Sequence, residues 1–118
     1  MLPRFQHVLV PLDFTPKNQA ALEVAFELAV HNHARITLVH VIEPIAGADG
    51  ELRAFTDQLR KRAENELESR AQRFAQAGQK VDWKAIEGHR LEEIVRAAVD
   101  RKADLIVMSS HQIGRAHV

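Results

Sequence analysis

Apolar residues follow two rhythms that alternate along this chain. Short unbroken runs such as Val8 to Val10, "RITLVHVI" from Arg35 to Ile42 and "ADLIVMSS" from Ala103 to Ser110 are too short for helices. Their content of β-branched residues is that of strands buried on both faces. Between them, apolar residues recur every third or fourth position, as Leu22, Ala25, Phe26 and Ala29 do before "HNHAR", which predicts an amphipathic helix. Thr15 is placed to cap that helix, with Pro16 in its first turn. Leu52, Phe55, Leu59, Ala63, Leu67, Ala71 and Phe74 predict a long helix over Glu51–Ala77, stopped by Gly78. "KVDWKAIEG" alternates Val81, Trp83 and Ala85 against Asp82 and Lys84, the pattern of a strand exposed on one face and so most simply an edge strand. Leu91, Ile94, Val95 and Ala98 mark a last helix.

The order β-α-β-α-β-α-β predicts an α/β fold: an open parallel sheet with helices on both faces. In such sheets ligands bind beyond the carboxyl ends of the strands, where the strand order reverses. Asp13 follows the first strand and Ser109 and Ser110 follow the fourth, so neighbouring first and fourth strands would bring these groups to one crevice. Two readings of Asp13 stay open. It is a ligand-facing carboxylate, or it ties down the loop and favours the helix N-terminus electrostatically. Ser109 and Ser110 are likewise phosphate contacts or ordinary turn and cap residues. His40 lines the crevice or is a satisfied core histidine, and His111 is placed for a polar contact.

A length of 118 residues, 46% of them apolar, suits a single domain over 1–118. Sixteen basic side chains balance sixteen acidic ones, so no net field draws nucleic acid or an anionic membrane surface. Absence of cysteine removes disulfides and thiolate chemistry and fits a reducing compartment. No apolar run approaches the ~18 residues of a membrane span and no signal peptide is visible, so a cytoplasmic location is expected. Of seven histidines, His31 and His33 are the tightest pair, but that spacing puts them on different sides of a helix and no third ligand converges. No metal site is read. Nor is there a nucleophile with a base and an orienting group, or a phosphate-binding lysine motif, so binding is expected rather than turnover.

Taken in order, "VLVPLDFTPKNQAAL", "RITLVHVI", "IEGHRLEEIVRAA" and "ADLIVMSSH" resemble the universal stress protein family. The resemblance implies a Rossmann-like, adenine nucleotide alpha hydrolase-like sheet of order 3-2-1-4-5 and frequent homodimers. In one branch of the family it implies an ATP or AMP site; the other branch holds no nucleotide and acts through interaction. By this resemblance Pro11, Leu12 and Asp13 approach the base or ribose, Val41 the adenine, and Met108, Ser109, Ser110 and His111 the phosphate side. The pattern departs at Ser109 and Gln112, which stand where the family's phosphate loop has glycines, and glycine alone gives the closest backbone approach. The chain reaches Val118 before the rest of that loop, the last helix and the fifth strand. A sheet of order 3-2-1-4 is therefore expected, with the fifth-strand dimer contact impaired. "IGRAHV", Ile113 to Val118, is what one reading frame of a common sequencing-library adapter encodes. It is read either as a non-native tail or as a genuine loop carrying Gly114.

Overall fold

The computed structural model describes residues 5–44 and 50–109. Seven elements alternate along the chain: β1 (His7–Pro11), α1 (Asn18–Asn32), β2 (Arg35–Ile42), α2 (Gly50–Gln76), β3 (Val81–Glu87), α3 (Arg90–Asp100) and β4 (Leu105–Ile106). The strands form one parallel sheet of order β3-β2-β1-β4. The expected topology and the edge position of β3 are thus observed.

Strand alternation divides the core into two layers. Val8, Val10, Ile36, Leu38 and Ala85 point to one face, where α1 covers them with Leu22, Ala25 and Ala29 and α2 with Ala63, Leu67, Ala71 and Phe74. On the other face Leu9 and Val39 meet Ile94 and Ala97 of α3. Each large side chain buried this way contributes about 1.5–3 kcal/mol relative to its exposed state. Phe74, 1% exposed, anchors the first layer. Trp83 packs at its edge, as expected of an inward residue on β3.

Three local expectations are corrected. Thr15 does not cap α1: the helix starts at Asn18 with Lys17 at the N-cap position and no side-chain cap, because the Thr15 hydroxyl donates to Asp13 instead. Leu52 and Phe55 are not core residues but are 39% and 49% exposed. With 27 residues, α2 is roughly 40 Å long at 1.5 Å per residue, against roughly 26 Å for the eight residues of β2 at 3.3 Å each. Its first turns overhang the sheet's carboxyl edge, and there the buried position passes to Thr56, whose hydroxyl donates to the Leu52 carbonyl. Finally, β4 is only two residues long, although Val107 still donates its N–H to the Leu9 carbonyl.

Leu91 and Val95 also lie on the solvent side of α3, 75% and 50% exposed, while Ile94 and Ala97 make the sheet contact. The apolar positions of α3 therefore form two stripes, of which one is covered by the described residues.

Candidate functional site

β1 ends in a run whose side chains have nowhere to go but the carboxyl edge of the sheet. Leu12 is still held in it, its N–H donating to the Val39 carbonyl at 2.8 Å. At Phe14 the backbone takes a left-handed conformation, φ 65°, an uncommon state for a residue with a Cβ. Asn18 makes that turn possible. Its Oδ1 accepts the N–H groups of Asp13 and Phe14 at 2.8 and 2.7 Å, and its Nδ2 donates to Ser109 Oγ at 2.9 Å. With only 2% of its surface exposed, Asn18 joins the loop after β1 to the chain beyond β4.

The fixed loop presents Asp13 to a cleft of about 190 Å3 at the carboxyl ends of β1 and β2. Pro11, Leu12 and Asp13 line it from one side and His40 and Val41 from the other, with Arg90 and Ile94 contributed by α3. Asp13 Oδ1 accepts the N–H and hydroxyl of Thr15 at 3.0 and 2.7 Å. Its Oδ2 lies 3.8 Å from the Arg90 guanidinium, and the side chain remains 15% exposed to the cleft. Gly88, at φ 153°, turns the chain from β3 into α3 and so sets where Arg90 enters.

Behind the lining residue His40 stands an aromatic side chain. The Phe14 ring stacks on His40 with centroids 4.3 Å apart and planes 25° apart, and the Arg70 guanidinium also sits over the Phe14 ring, 5.2 Å from its centroid. His40 Nδ1 donates to the Leu12 carbonyl at 2.7 Å, and the half-buried ring lines the cleft rather than sitting in the core.

Four of the eight residues singled out in the sequence, Pro11, Leu12, Asp13 and Val41, share this cleft. Ser109 is joined to the loop through Asn18. Met108, 42% exposed, is not among the lining residues. Ser110 and His111 lie outside the described residues, as does the 113–118 tail. Sequence reasoning missed Asn18, Arg90 and the stacking role of Phe14. Position gave a usable signal for one of them, since Arg90 opens a helix that must start at the sheet's carboxyl edge.

A larger cleft, about 720 Å3, opens at the opposite edge between His33, Arg35, Lys80 and Lys102. There α1, α2 and α3 all present their C-termini, whose carbonyls make basic side chains favourable without a ligand. The carboxyl edge is where open α/β sheets receive ligands, and only the smaller cleft has Asp13. Among the described residues no three His, Asp or Glu side chains are grouped to hold a metal ion, and no helix is long and apolar enough to cross a membrane.

Fold and cleft together define an open α/β domain with a crevice at the end of its first strand. The chain belongs to the universal stress protein family, whose pattern matches residues 4–117. It is 33% identical over 111 residues to a universal stress protein of Thermus aquaticus, covering 93% of this chain and 80% of that one. Among solved structures it is similar to a universal stress protein family member from Burkholderia pseudomallei, with a TM-score of 0.81 and 28% identity over 91% of this chain and 83% of that one. A universal stress protein in complex with cAMP shares the fold at a TM-score of 0.70 and 21% identity, over 89% of this chain and 76% of that one.

Proposed function

We propose that this chain is a cytoplasmic stress-response protein that works by binding an adenine nucleotide, ATP or AMP, at the carboxyl ends of β1 and β2. The carrying observation is Asp13, a carboxylate held by Thr15 on one oxygen and presented to a cleft beside Arg90. A carboxylate so placed accepts hydrogen bonds from ribose hydroxyls or a base amino group, and Val41 lines the cleft from β2. That a protein of this fold is known in complex with cAMP is consistent with such a ligand.

Cleft size refines the reading. At about 190 Å3 it is below the roughly 300–1,000 Å3 of sites that enclose a drug-sized ligand. It suits the nucleoside part, with phosphates outside, toward Ser109. Titration calorimetry of the full chain with ATP, AMP and adenosine tests this. Binding of all three with similar affinity is expected, and no heat with any of them at millimolar concentration would reject the reading.

One observation favours a second reading, that of a nucleotide-free interaction module. Leu91, Val95 and Val99 follow one another at four-residue intervals on α3 and are 75%, 50% and 69% exposed. A helix face of this kind is what a homodimer contact buries. Self-association without nucleotide binding would favour this alternative.

A further inference from the structure

At the amino ends of the strands, on the α3 face of the sheet, four elements are joined by one line of hydrogen bonds. His7, 7% exposed, places Nδ1 2.8 Å from the Arg101 carbonyl oxygen and Nε2 2.6 Å from Thr37 Oγ1. Thr37 is fully buried, and its hydroxyl donates to Asp82 Oδ1 at 2.6 Å. The guanidinium of Arg101 holds the second oxygen of Asp82, which returns the line to the end of α3.

The hydrogens in this line can be counted. A carbonyl oxygen only accepts, so His7 Nδ1 must carry a hydrogen to bond Arg101. A carboxylate only accepts, so the single hydroxyl hydrogen of Thr37 points at Asp82, and His7 Nε2 must supply the hydrogen between itself and Thr37. Both ring nitrogens are therefore donors, and the ring that satisfies the line is the imidazolium. Placing the extra hydrogen on Asp82 instead is opposed by the Arg101 guanidinium on its other oxygen.

We infer that His7 is a proton-operated latch that holds the C-terminal end of α3 to the sheet. Doubly protonated, His7 closes every link from β1 through β2 and β3 to α3. Once it loses a proton, acceptors outnumber hydrogens and one link opens, at the Arg101 carbonyl or between Thr37 and its partners. An Arg101 opening acts on α3 directly, because this residue caps the helix; a Thr37 opening acts through Asp82, which Arg101 grips. The surrounding charges come from every side. Asp82 on β3 favours the cation, as does Asp104, whose carboxylate accepts the His7 N–H at 3.1 Å. The helix C-terminus at Arg101 also favours it. Arg101 itself opposes it, along with His33, Arg35, Lys80 and Lys102 around the adjoining cleft. His7 lines that cleft, which gives its proton a route to water. At its other end α3 carries Arg90 and Ile94 of the nucleotide-side cleft, so the latch sets how firmly one wall of that cleft is seated.

The test uses the full chain labelled with 15N. Long-range proton–nitrogen correlation of the His7 ring and amide hydrogen exchange are followed between about pH 5 and about pH 8, the range in which histidine titrates. Two bound ring hydrogens are expected at the acidic end. As they fall to one, exchange in the last turn of α3 should quicken about tenfold beyond the intrinsic pH trend, as for one lost hydrogen bond, while Val8–Val10 stay protected. Asp82→Asn supplies a donor where the line now has only an acceptor, so a neutral ring can close it and the pH step should vanish. A singly protonated ring throughout the range overturns the inference. So does a step that persists in Asp82→Asn, or α3 exchange that ignores the ring's titration in the wild-type chain. If the variant does not fold, the wild-type ring and exchange data decide alone.

Discussion

Asn18 Nδ2 donates to Ser109 Oγ at 2.9 Å, joining positions separated by 91 residues. The same side chain receives the Asp13 and Phe14 N–H groups, so the geometry of the candidate ligand carboxylate depends on an amide at the start of the following helix. Asn18 contributes nothing to the cleft surface and much to its shape.

Replacing it should therefore cost stability. In Asn18→Ala the N–H groups of Asp13 and Phe14 lose their acceptor in a part-buried turn, and a buried donor left unsatisfied costs about 1–3 kcal/mol. A loss of about 2–3 kcal/mol is expected for the variant, read from urea unfolding midpoints at unchanged slope. A change below about 0.5 kcal/mol, the size of an ordinary surface substitution, would mean that the turn holds itself.

Asp13→Ala separates ligand contact from loop anchoring. Loss of a charge-assisted hydrogen bond to ribose or base weakens nucleotide binding by about 1–3 kcal/mol, which is roughly fivefold to 150-fold. Thr15 lies only two residues along the chain and Arg90 is 3.8 Å from the second oxygen, so for a ligand-facing carboxylate stability should fall by no more than about 1 kcal/mol. Calorimetric titration beside thermal melting gives both numbers. A large melting shift with unchanged affinity would make Asp13 a loop anchor alone.

The contrast between these residues shows what a sequence discloses. The β-α alternation and the edge position of β3 were legible because burial imposes a period on every element: Val81, Trp83 and Ala85 must face α2 if Asp82 and Lys84 do not. Asp13 was legible because the chain direction of a parallel sheet fixes which strand ends share an edge. Asn18 was not, since an asparagine early in a helix looks like any polar residue until the loop folds back on it. Phe55 failed for a different reason. Helical spacing says which residues share a face, but only the length of the sheet beneath says where that face stops being covered. Phe14 depended on a left-handed turn at its own backbone that no periodicity encodes, whereas Arg90 could be placed at the carboxyl edge from its position at the start of a helix but not, without the turn at Gly88, aimed at Asp13.

Asp104 should contribute to acid sensitivity. Burial pushes its carboxyl upward, but N–H donors from Gln6 and His7 outweigh that and hold it below the ordinary carboxylate range. A carboxylate lowered in the folded state stabilises the fold above its unfolded value near about pH 4 and loses that contribution as pH falls through the folded one. Asp104→Asn should thus melt lower than wild type at neutral pH, with the gap narrowing below about pH 4. A gap that stays constant with pH would show that these donors bind amide and carboxylate equally well.

The outer stripe of α3 leads to the last expectation. Leu91, Val95 and Val99 expose 75%, 50% and 69% of their surfaces, and Ile106 on β4 and Met108 just after it are 37% and 42% exposed. β4 is a sheet edge among the described residues, and neither lysine nor proline protects it from Leu105 to Met108. An exposed apolar helix face and an open sheet edge both favour association, so the 118-residue chain should self-associate as its concentration rises. Leu91→Glu with Val95→Lys puts charge on the helix stripe at solvent-facing positions, where folding is little affected. If the stripe is the contact, light scattering after size exclusion should show the wild-type chain growing in mass with concentration and the double variant remaining monomeric. A wild-type chain that stays monodisperse and monomeric would mean that this face is covered from within the chain. Association that survives the charges would move the contact to the edge of β4.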